Sequence, residues 1–261
     1  MSRQRPGEME TAAARSAGPM QSVLIVIPTY NERENLAALV TQILEHRGYT
    51  VMIVDDHSPD GTGELADELA CQAPGRVQVV HRTDKRGLGR SYIEGFGLAL
   101  GGDADLICQM DADFSHDPKY LPALVEAAAD HDLVVGSRYL NGISVVNWPL
   151  RRLFLSTFAN LYIRAVTGLS VRDCTGGFRC WRHEALARIP MQHIVSDGYA
   201  FMVEMLFEAA RRGCRIGEVP IVFFERRQGT SKVSSRVLME SIFMPWRLRL
   251  RALFRRWTAG G

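Results

Sequence analysis

Five short apolar runs, spaced by helix-length segments, constrain this chain more than any other feature. They are VLIVI (23–27), VMIV (51–54), VQVV (77–80), DLICQM (105–110) and DLVVG (132–136). These runs are continuous and rich in β-branched residues, the pattern of strands buried on both faces of a parallel sheet. Helical patterns fall between them near 32–46, 62–72, 88–101 and 118–129. The first begins at NERENLAALV, where Asn31 is placed to cap and Glu34 has capping-box spacing. The resulting β-α order predicts an α/β protein with an open, doubly wound, mostly parallel sheet. Such sheets bind ligands beyond the C-terminal ends of their strands.

Beyond about residue 140 the pattern changes. Helical stretches at about 147–168 and 198–213 flank a glycine-rich piece, DCTGGFRCW. A strand candidate, RIGEVPIVF, follows, then the loop ERRQGTSK and a basic helix. No linker separates these parts, so 21–240 is expected to be a single domain, with 1–20 a disordered tail. No run of about 18 apolar residues occurs, so no membrane-spanning helix is expected. The 5 cysteines show no CxxC spacing, which argues against a disulfide framework or a zinc site. Each is expected to be a small buried hydrophobe. Nothing in the sequence points to nucleic acid.

The unusual residues cluster where strands should end. PTYNE follows the first strand: Pro28 is expected to stop it, leaving Tyr30 and Glu32 in a loop over the sheet edge. VDDHSPDGT follows the second: Asp60 and Thr62 suit a turn, whereas Asp55 and Asp56 call for a polar ligand such as a ribose or a base. KRGLGR (85–90) fails as a dinucleotide fingerprint because Tyr92 stands where the third glycine belongs. DADFSHDP follows the fourth strand. Two carboxylates one residue apart at a strand tip suit a hard cation, and Mg²⁺ is typically held by one or two carboxylates plus substrate phosphate oxygens. Arg138, the pair Arg151 and Arg152, Arg226 and Lys232 each resemble ordinary surface charges. Together they suit further phosphate.

In this order, PTYNE, VDDHSPDGT, KRGLG, DADFSHDP, GSRY, DCTGGFRCW, DGYAFMVEM, IGEVPI and RRQGTSK resemble the family 2 glycosyltransferases of GT-A fold. More narrowly, the set is similar to the dolichyl-phosphate (polyprenyl-phosphate) mannosyltransferases. The resemblance implies that Pro28, Tyr30, Glu32, Val54 and Asp56 hold the guanosine of GDP-mannose. It puts Asp111, Ala112 and Asp113 on the sugar diphosphate, with Asp111 and Asp113 on Mg²⁺ or Mn²⁺. Ser115 stands where some members carry Gln, and is a third metal candidate. Arg138, Arg226 and Lys232 are implied phosphate ligands, with Arg152 a further candidate for the acceptor phosphate. Asp113, Arg138 and Arg226 would carry catalysis.

The expected activity is inverting transfer of mannose from GDP-mannose to dolichyl or polyprenyl phosphate. The alternatives are a UDP-glucose-dependent relative, a phosphohydrolase, and a nucleotide-sugar-binding membrane scaffold without turnover. The expected location is peripheral, at the cytoplasmic face of a membrane, with room for a membrane-protein partner subunit. Residues 241–261 contain five Arg and no acid, and are expected to form a basic amphipathic helix. Trp246, Leu250, Leu253, Phe254 and Trp257 share its apolar face, and Leu248 is the one apolar residue out of place.

Overall fold

The computed structural model describes residues 21–83, 87–225 and 242–252. Its strands are β1 (Val23–Thr29), β2 (Tyr49–Asp55), β3 (Val77–His81), β4 (Leu106–Gln109), β5 (Leu133–Ser137), β6 (Val145–Val146), β7 (Arg179–Arg182), β8 (Ile216–Pro220) and β9 (Phe223–Phe224). Seven of them form one sheet in the order β3-β2-β1-β4-β7-β5-β8, and β6 pairs with β9 apart from it. The helices are α1 (Arg33–Leu44), α2 (Thr62–Gln72), α3 (Leu88–Ala99), α4 (Leu121–Ala127), α5 (Leu150–Thr167), α6 (His183–Ala187) and α7 (Gly198–Arg211). An eighth, α8, covers 242–252. The first four strands pair in parallel, as the doubly wound expectation requires, while β5 is separated from β4 by β7 and pairs in parallel with β8.

Alternation within a single run explains why those strands look continuously apolar. Leu24 and Val26 of β1 join Met52 and Val54 of β2, Tyr92 and Phe96 of α3, and Trp181 and Phe201 in one core. Val23, Ile25 and Ile27 face the other way, into a second core with Leu36, Leu39 and Leu121. Both faces are covered by helices, so every position of the strand gains from burial, about 1.5–3 kcal/mol for each large apolar side chain.

Several expectations are corrected. Asn31 does not cap α1: it has φ of 61° and Glu32 occupies the cap position without a side-chain cap bond. The turn after β2 caps the helix instead. Ser58 Oγ accepts from the amide of Asn31, Thr62 Oγ1 from that of Glu32, and Asp60 Oδ2 from that of Arg33. Pro28 does not stop β1, which continues to Thr29 with Pro28 opposite Val54. The glycine-rich segment contains a strand, β7, antiparallel to both β4 and β5. Cys71 is exposed, unlike the other four cysteines. In α8, Leu248 is the residue that fits: with Met244 it is buried in the core, while Trp246 and Leu250 are exposed. Leu253, Phe254 and Trp257 lie outside the described residues, as does the tail 1–20.

Close approach of α3 to the sheet depends on Gly95. A Cβ there would sit 2.6 Å from Val26 Cγ1 and 3.0 Å from Val54 Cγ2. At Gly97, one half-turn on, nothing lies within 4 Å. Alanine gains roughly 1 kcal/mol over glycine inside a helix, whereas overpacking a core costs roughly 1–3 kcal/mol. Gly97→Ala should therefore raise unfolding stability by up to about 1 kcal/mol, and Gly95→Ala should lower it by about 1–2 kcal/mol, both read from denaturant midpoints.

Candidate active site

The C-terminal tips of β1, β2 and β4 converge on one edge of the sheet. Thr29 and Asp55 are opposite each other in the β1–β2 register, and Thr29 Oγ1 donates to Asp55 Oδ1 at 3.0 Å. Asp55 also accepts from the Ser58 hydroxyl and amide, so it shapes the turn. Burial pushes the Asp60 carboxyl up, but hydrogen bonds from the Thr62 hydroxyl and from the amides of Thr62 and Arg33 leave it lowered. Asp56 is different. It is buried, forms an ion pair with Arg82, and accepts the Gly87 amide at 2.9 Å. Gly87 has φ of 97°, and a Cβ there would fall 2.1 Å from Asp197 Oδ2. Only glycine lets the α3 N-terminus pass between these two carboxylates.

Of the residues expected at the nucleoside, Tyr30 is partly exposed over this edge and Glu32 accepts from Asn35 Nδ2 at 3.0 Å. Val54 has its side chain in the core, and Pro28 lies within β1. Those two can meet a ligand only through backbone atoms or as a floor.

The DADFSHDP loop leaves β4 beside them. Phe114 has φ of 58°, a conformation that a bulky residue adopts at a cost of about 1–3 kcal/mol. That turn folds Ser115 back so that its amide donates to Asp113 Oδ1 at 3.0 Å. Asp113 is 5% exposed, and Ser115 Oγ is buried without a hydrogen-bond partner. Ala112 packs in the core. Tyr92, fully buried, stacks on Phe96 and Phe201 and donates its hydroxyl to Asp111 Oδ1 at 3.4 Å. Burial, then the Asp111 charge, pushes that phenol well up, so it stays a donor. The His116 Nδ1 accepts the Asp111 amide at 3.2 Å. Burial lowers its pKa despite the neighbouring carboxylates, so the imidazole is neutral, and its 3.8 Å approach to Asp111 Oδ2 is no ion pair.

These donors fit a hard divalent cation. Two carboxylates from one loop supply charge, and the orphaned Ser115 hydroxyl is a buried oxygen lacking any other partner. Among the described residues no cluster of three His, Cys, Asp or Glu side chains could hold a metal. Substrate or water oxygens would have to complete the shell of any ion held there, as Mg²⁺ commonly requires.

Arg138 is not the surface charge expected. It is 4% exposed and grips Asp173 with Nε and Nη2, each at 2.7 Å, while Nη2 also reaches Thr175 Oγ1. Burial works against both charges, but each outweighs it for the other: the guanidinium is held above its usual value and the Asp173 carboxyl below. The guanidinium also sits 5.5 Å from the Trp148 ring and 5.3 Å from the Phe223 ring. Arg152 also lies over the Trp148 ring, at 4.1 Å, and is paired to Glu225 at 2.8 Å. Arg226 and Lys232 lie outside the described residues. The last described residues before them border the site: the Phe224 amide points to Ser115 O at 3.4 Å and the Glu225 amide to Val146 O at 3.2 Å.

Three residues escaped the sequence reading. Arg82, just after β3, belongs to none of the motifs above. Asp173 was visible only as part of the glycine-rich segment. Arg179, within β7, is fully buried beneath the site, and burial pushes it down to about 10, with Asp173 opposing.

Comparison with known proteins agrees with this layout. Residues 24–189 match the profile of glycosyl transferase family 2. The chain is 44% identical over 245 residues to polyprenol monophosphomannose synthase of Mycolicibacterium smegmatis, covering 91% of this chain and 92% of that one. It is 46% identical over 221 residues to undecaprenyl-phosphate mannosyltransferase of Micrococcus luteus, covering 84% and 90% respectively. Among solved structures, glucosyl-3-phosphoglycerate synthase from Mycobacterium tuberculosis in complex with Mn²⁺, UDP and glucosyl-3-phosphoglycerate superposes with a TM-score of 0.62 at 18% identity. That alignment covers 86% of this chain and 80% of the synthase. It establishes a common fold.

Removing one partner of the Arg138–Asp173 pair leaves a buried charge uncompensated, so Asp173→Ala should destabilise the protein by about 3–5 kcal/mol. The sign with pH follows from the lowered Asp173 pKa. The contribution is complete above the unfolded carboxylate value near 3.9 and is lost as pH falls through the lower folded value. Asp173→Asn should flatten that acid limb of the stability curve measured by denaturant titration.

Proposed function

Because the chain belongs to glycosyl transferase family 2, we propose that it moves mannose from GDP-mannose to a polyprenyl phosphate, inverting the anomeric centre. The observation that carries this reading is the pair of bacterial relatives, each aligned over most of its length, whose names both join mannose to a polyprenyl phosphate. The site chemistry supports it. Asp56, oriented by Arg82 and the Gly87 amide, takes the hydroxyls or base of the nucleoside beside Tyr30 and Glu32. Asp111 and Asp113, with Ser115, are the residues that would hold Mg²⁺ or Mn²⁺. When bound, that ion neutralises charge on the departing diphosphate.

The acceptor phosphate is already anionic near pH 7, so its oxygen attacks the anomeric carbon without a strong general base. The new C–O bond forms on the face opposite the diphosphate, and GDP leaves with the electron pair of the broken bond. The protein must hold two anions close together, an electrostatic and orienting task. Arg138 orders the 173–177 loop that adjoins the metal loop; a Cβ on Gly177 would come within 3.7 Å of Asp111 Oδ1. Arg152, Arg226 and Lys232 are the proposed contacts to acceptor and donor phosphates. A UDP-glucose-dependent relative remains the second reading, since the superposable synthase binds UDP.

Two measurements test this. With a polyprenyl phosphate and Mg²⁺, GDP-mannose should yield a mannolipid, and UDP-glucose should yield little or no glucolipid. A reversed preference sinks the donor assignment. Asp113→Ala should reduce turnover by at least about a hundredfold, the scale for losing a principal charge-stabilising group, with the fold retained in circular dichroism. Near-normal activity in that variant would remove Asp113 from the metal site.

A further inference from the structure

The turn GLG at 87–89 and the segment DGYAFMVEM at 197–205 meet at one carboxylate. Asp197 opens α7, where its Oδ1 accepts the Gly198 amide at 2.8 Å. The same oxygen accepts the amide of Gly89, 108 residues away in the first turn of α3. One carboxylate thus serves two helix N-termini, where unpaired amides and the helix dipole favour an anion. Small residues are needed for the approach. A Cβ on Gly89 would fall 2.9 Å from Asp197 Oδ1 and 3.0 Å from Ser196 O.

The loop that carries Asp197 is held from behind. Glu204, 2% exposed and two turns into α7, accepts the amides of Val195 and Ser196 on Oε2 at 3.2 and 3.0 Å. Arg251 of α8 approaches Glu204 Oε1 at 3.6 Å, and Arg247 donates to Ser196 Oγ at 3.2 Å. Asp197 is therefore an anchor to which the start of α3 is tied.

On the other side of that turn, the Gly87 amide donates to Asp56 Oδ2 at 2.9 Å while Arg82 holds Oδ1. Asp56 and Asp197 divide the first amides of α3 between them. Where Gly87 sits decides how the Asp56 carboxylate is turned. One turn later, Tyr92 stacks on Phe201 with ring centroids 5.8 Å apart, a contact that does not involve Asp197. Loss of the Asp197 carboxylate would release the first turn of α3 and leave the next one packed.

We propose that Asp197 is a positioning residue for the nucleoside end of the donor site. It acts through Gly89 and Gly87 on Asp56 and does not itself touch substrate. The proposal rests on the nucleoside reading of Asp56 given above. It has a specific consequence: nucleotide affinity depends on Asp197, and acceptor affinity does not.

The test is calorimetric titration of GDP with Mg²⁺, and of UDP in parallel, into the unaltered chain, Asp197→Ala, Asp197→Asn and Gly89→Ala. Asp197→Ala should weaken nucleotide binding about tenfold. Asp197→Asn keeps an oxygen for the Gly89 amide and should recover most of that loss. Gly89→Ala pushes on the same contact from the α3 side. Combined with Asp197→Ala it should cost less than the product of the two single effects, as expected of groups that act through one contact. In turnover with GDP-mannose and a polyprenyl phosphate, KM for the donor should rise, while kcat and KM for the acceptor change by less than about twofold. Denaturant midpoints check folding, and should Asp197→Ala not fold, Gly89→Ala carries the comparison. Nucleotide affinity unchanged in Asp197→Ala and Gly89→Ala, or an equal rise in KM for both substrates, overturns the proposal. Binding of UDP in place of GDP, weakened in the same variants, retains the positioning role and removes guanosine from the donor. An unaltered chain that binds neither nucleotide removes Asp56 from the nucleoside site and the proposal with it.

Discussion

The structure depends on three buried parallel strands whose C-terminal ends point the same way. Val23 to Thr29 of β1 run in register with Tyr49 to Asp55 of β2, and the first four of those residues also pair with β4. Both faces of these strands are apolar and covered, so the register has little freedom to slip. Their polar continuations, Asp56 after β2 and Asp111 to Asp113 after β4, are then fixed along one edge. The backbone there is not relaxed. Asn31, His57 and Phe114 have positive φ, and each lies shortly beyond the tip of β1, β2 or β4 respectively. Rigid strands bear that local strain and leave the loops shaped for a ligand.

Much of this was legible because burial on both faces writes itself into the sequence as unbroken β-branched runs. The exceptions have physical causes. The strand β7 reads RCWR, four residues with two arginines, and the buried Arg179 gives hydrogens to Gly176 O and Cys174 O while its Nη1 has no partner. No local period reports such a strand. The α1 cap was misassigned because its acceptors come from Ser58, Asp60 and Thr62, more than two dozen residues away. At the site, the DADFSHDP loop and Asp56 announced themselves as carboxylates at strand tips. Arg82 and Asp173 did not, since their meaning lies in partners 26 and 35 residues distant. In α8 the period places Trp246 and Leu250 on one face, and both are exposed; the residue that breaks the stripe, Leu248, is the one that packs inward. The broader stripe of aromatic residues faces outward, and Met244 with Leu248 faces the core.

Charge accounting within the site separates structural cations from those available to substrate. Arg82 is matched by Asp56 and Glu94, Arg138 by Asp173, and Arg152 by Glu225. Each of these pairs orders a wall of the site. Two anionic substrates and a divalent cation bring opposite charges of their own, so their binding does not require breaking the buried pairs. The bidentate Arg138–Asp173 contact is the least able to change partners, because dissolving it would strand a fully buried carboxylate. In the proposed reaction Arg138 would therefore act through the loop it holds, not by contact with a substrate. Arg152, a quarter exposed and on the first turn of α5, has a solvent-facing partner in Glu225 and is the described arginine best able to turn toward a phosphate.

That difference connects the site to the outer surface. The Trp148 ring is near both Arg138 and Arg152, at 5.5 Å and 4.1 Å from their guanidiniums, and contacts Phe223 edge-on. This aromatic cluster adjoins both the buried ion pair and the start of α5. An acceptor with an anionic head and an apolar tail presents these same two demands in one molecule. The head needs a cation close to the metal loop, and the tail needs an apolar path that does not cross water. For the acceptor proposed above, a helix with Ser156 and Asn160 turned inward, Phe154 and Phe158 turned outward and Arg152 on its first turn would meet both demands with one element. The inverted amphipathicity of α5 is thereby consistent with the same substrate class that the carboxylates at the sheet edge suit, although the two features share no residue.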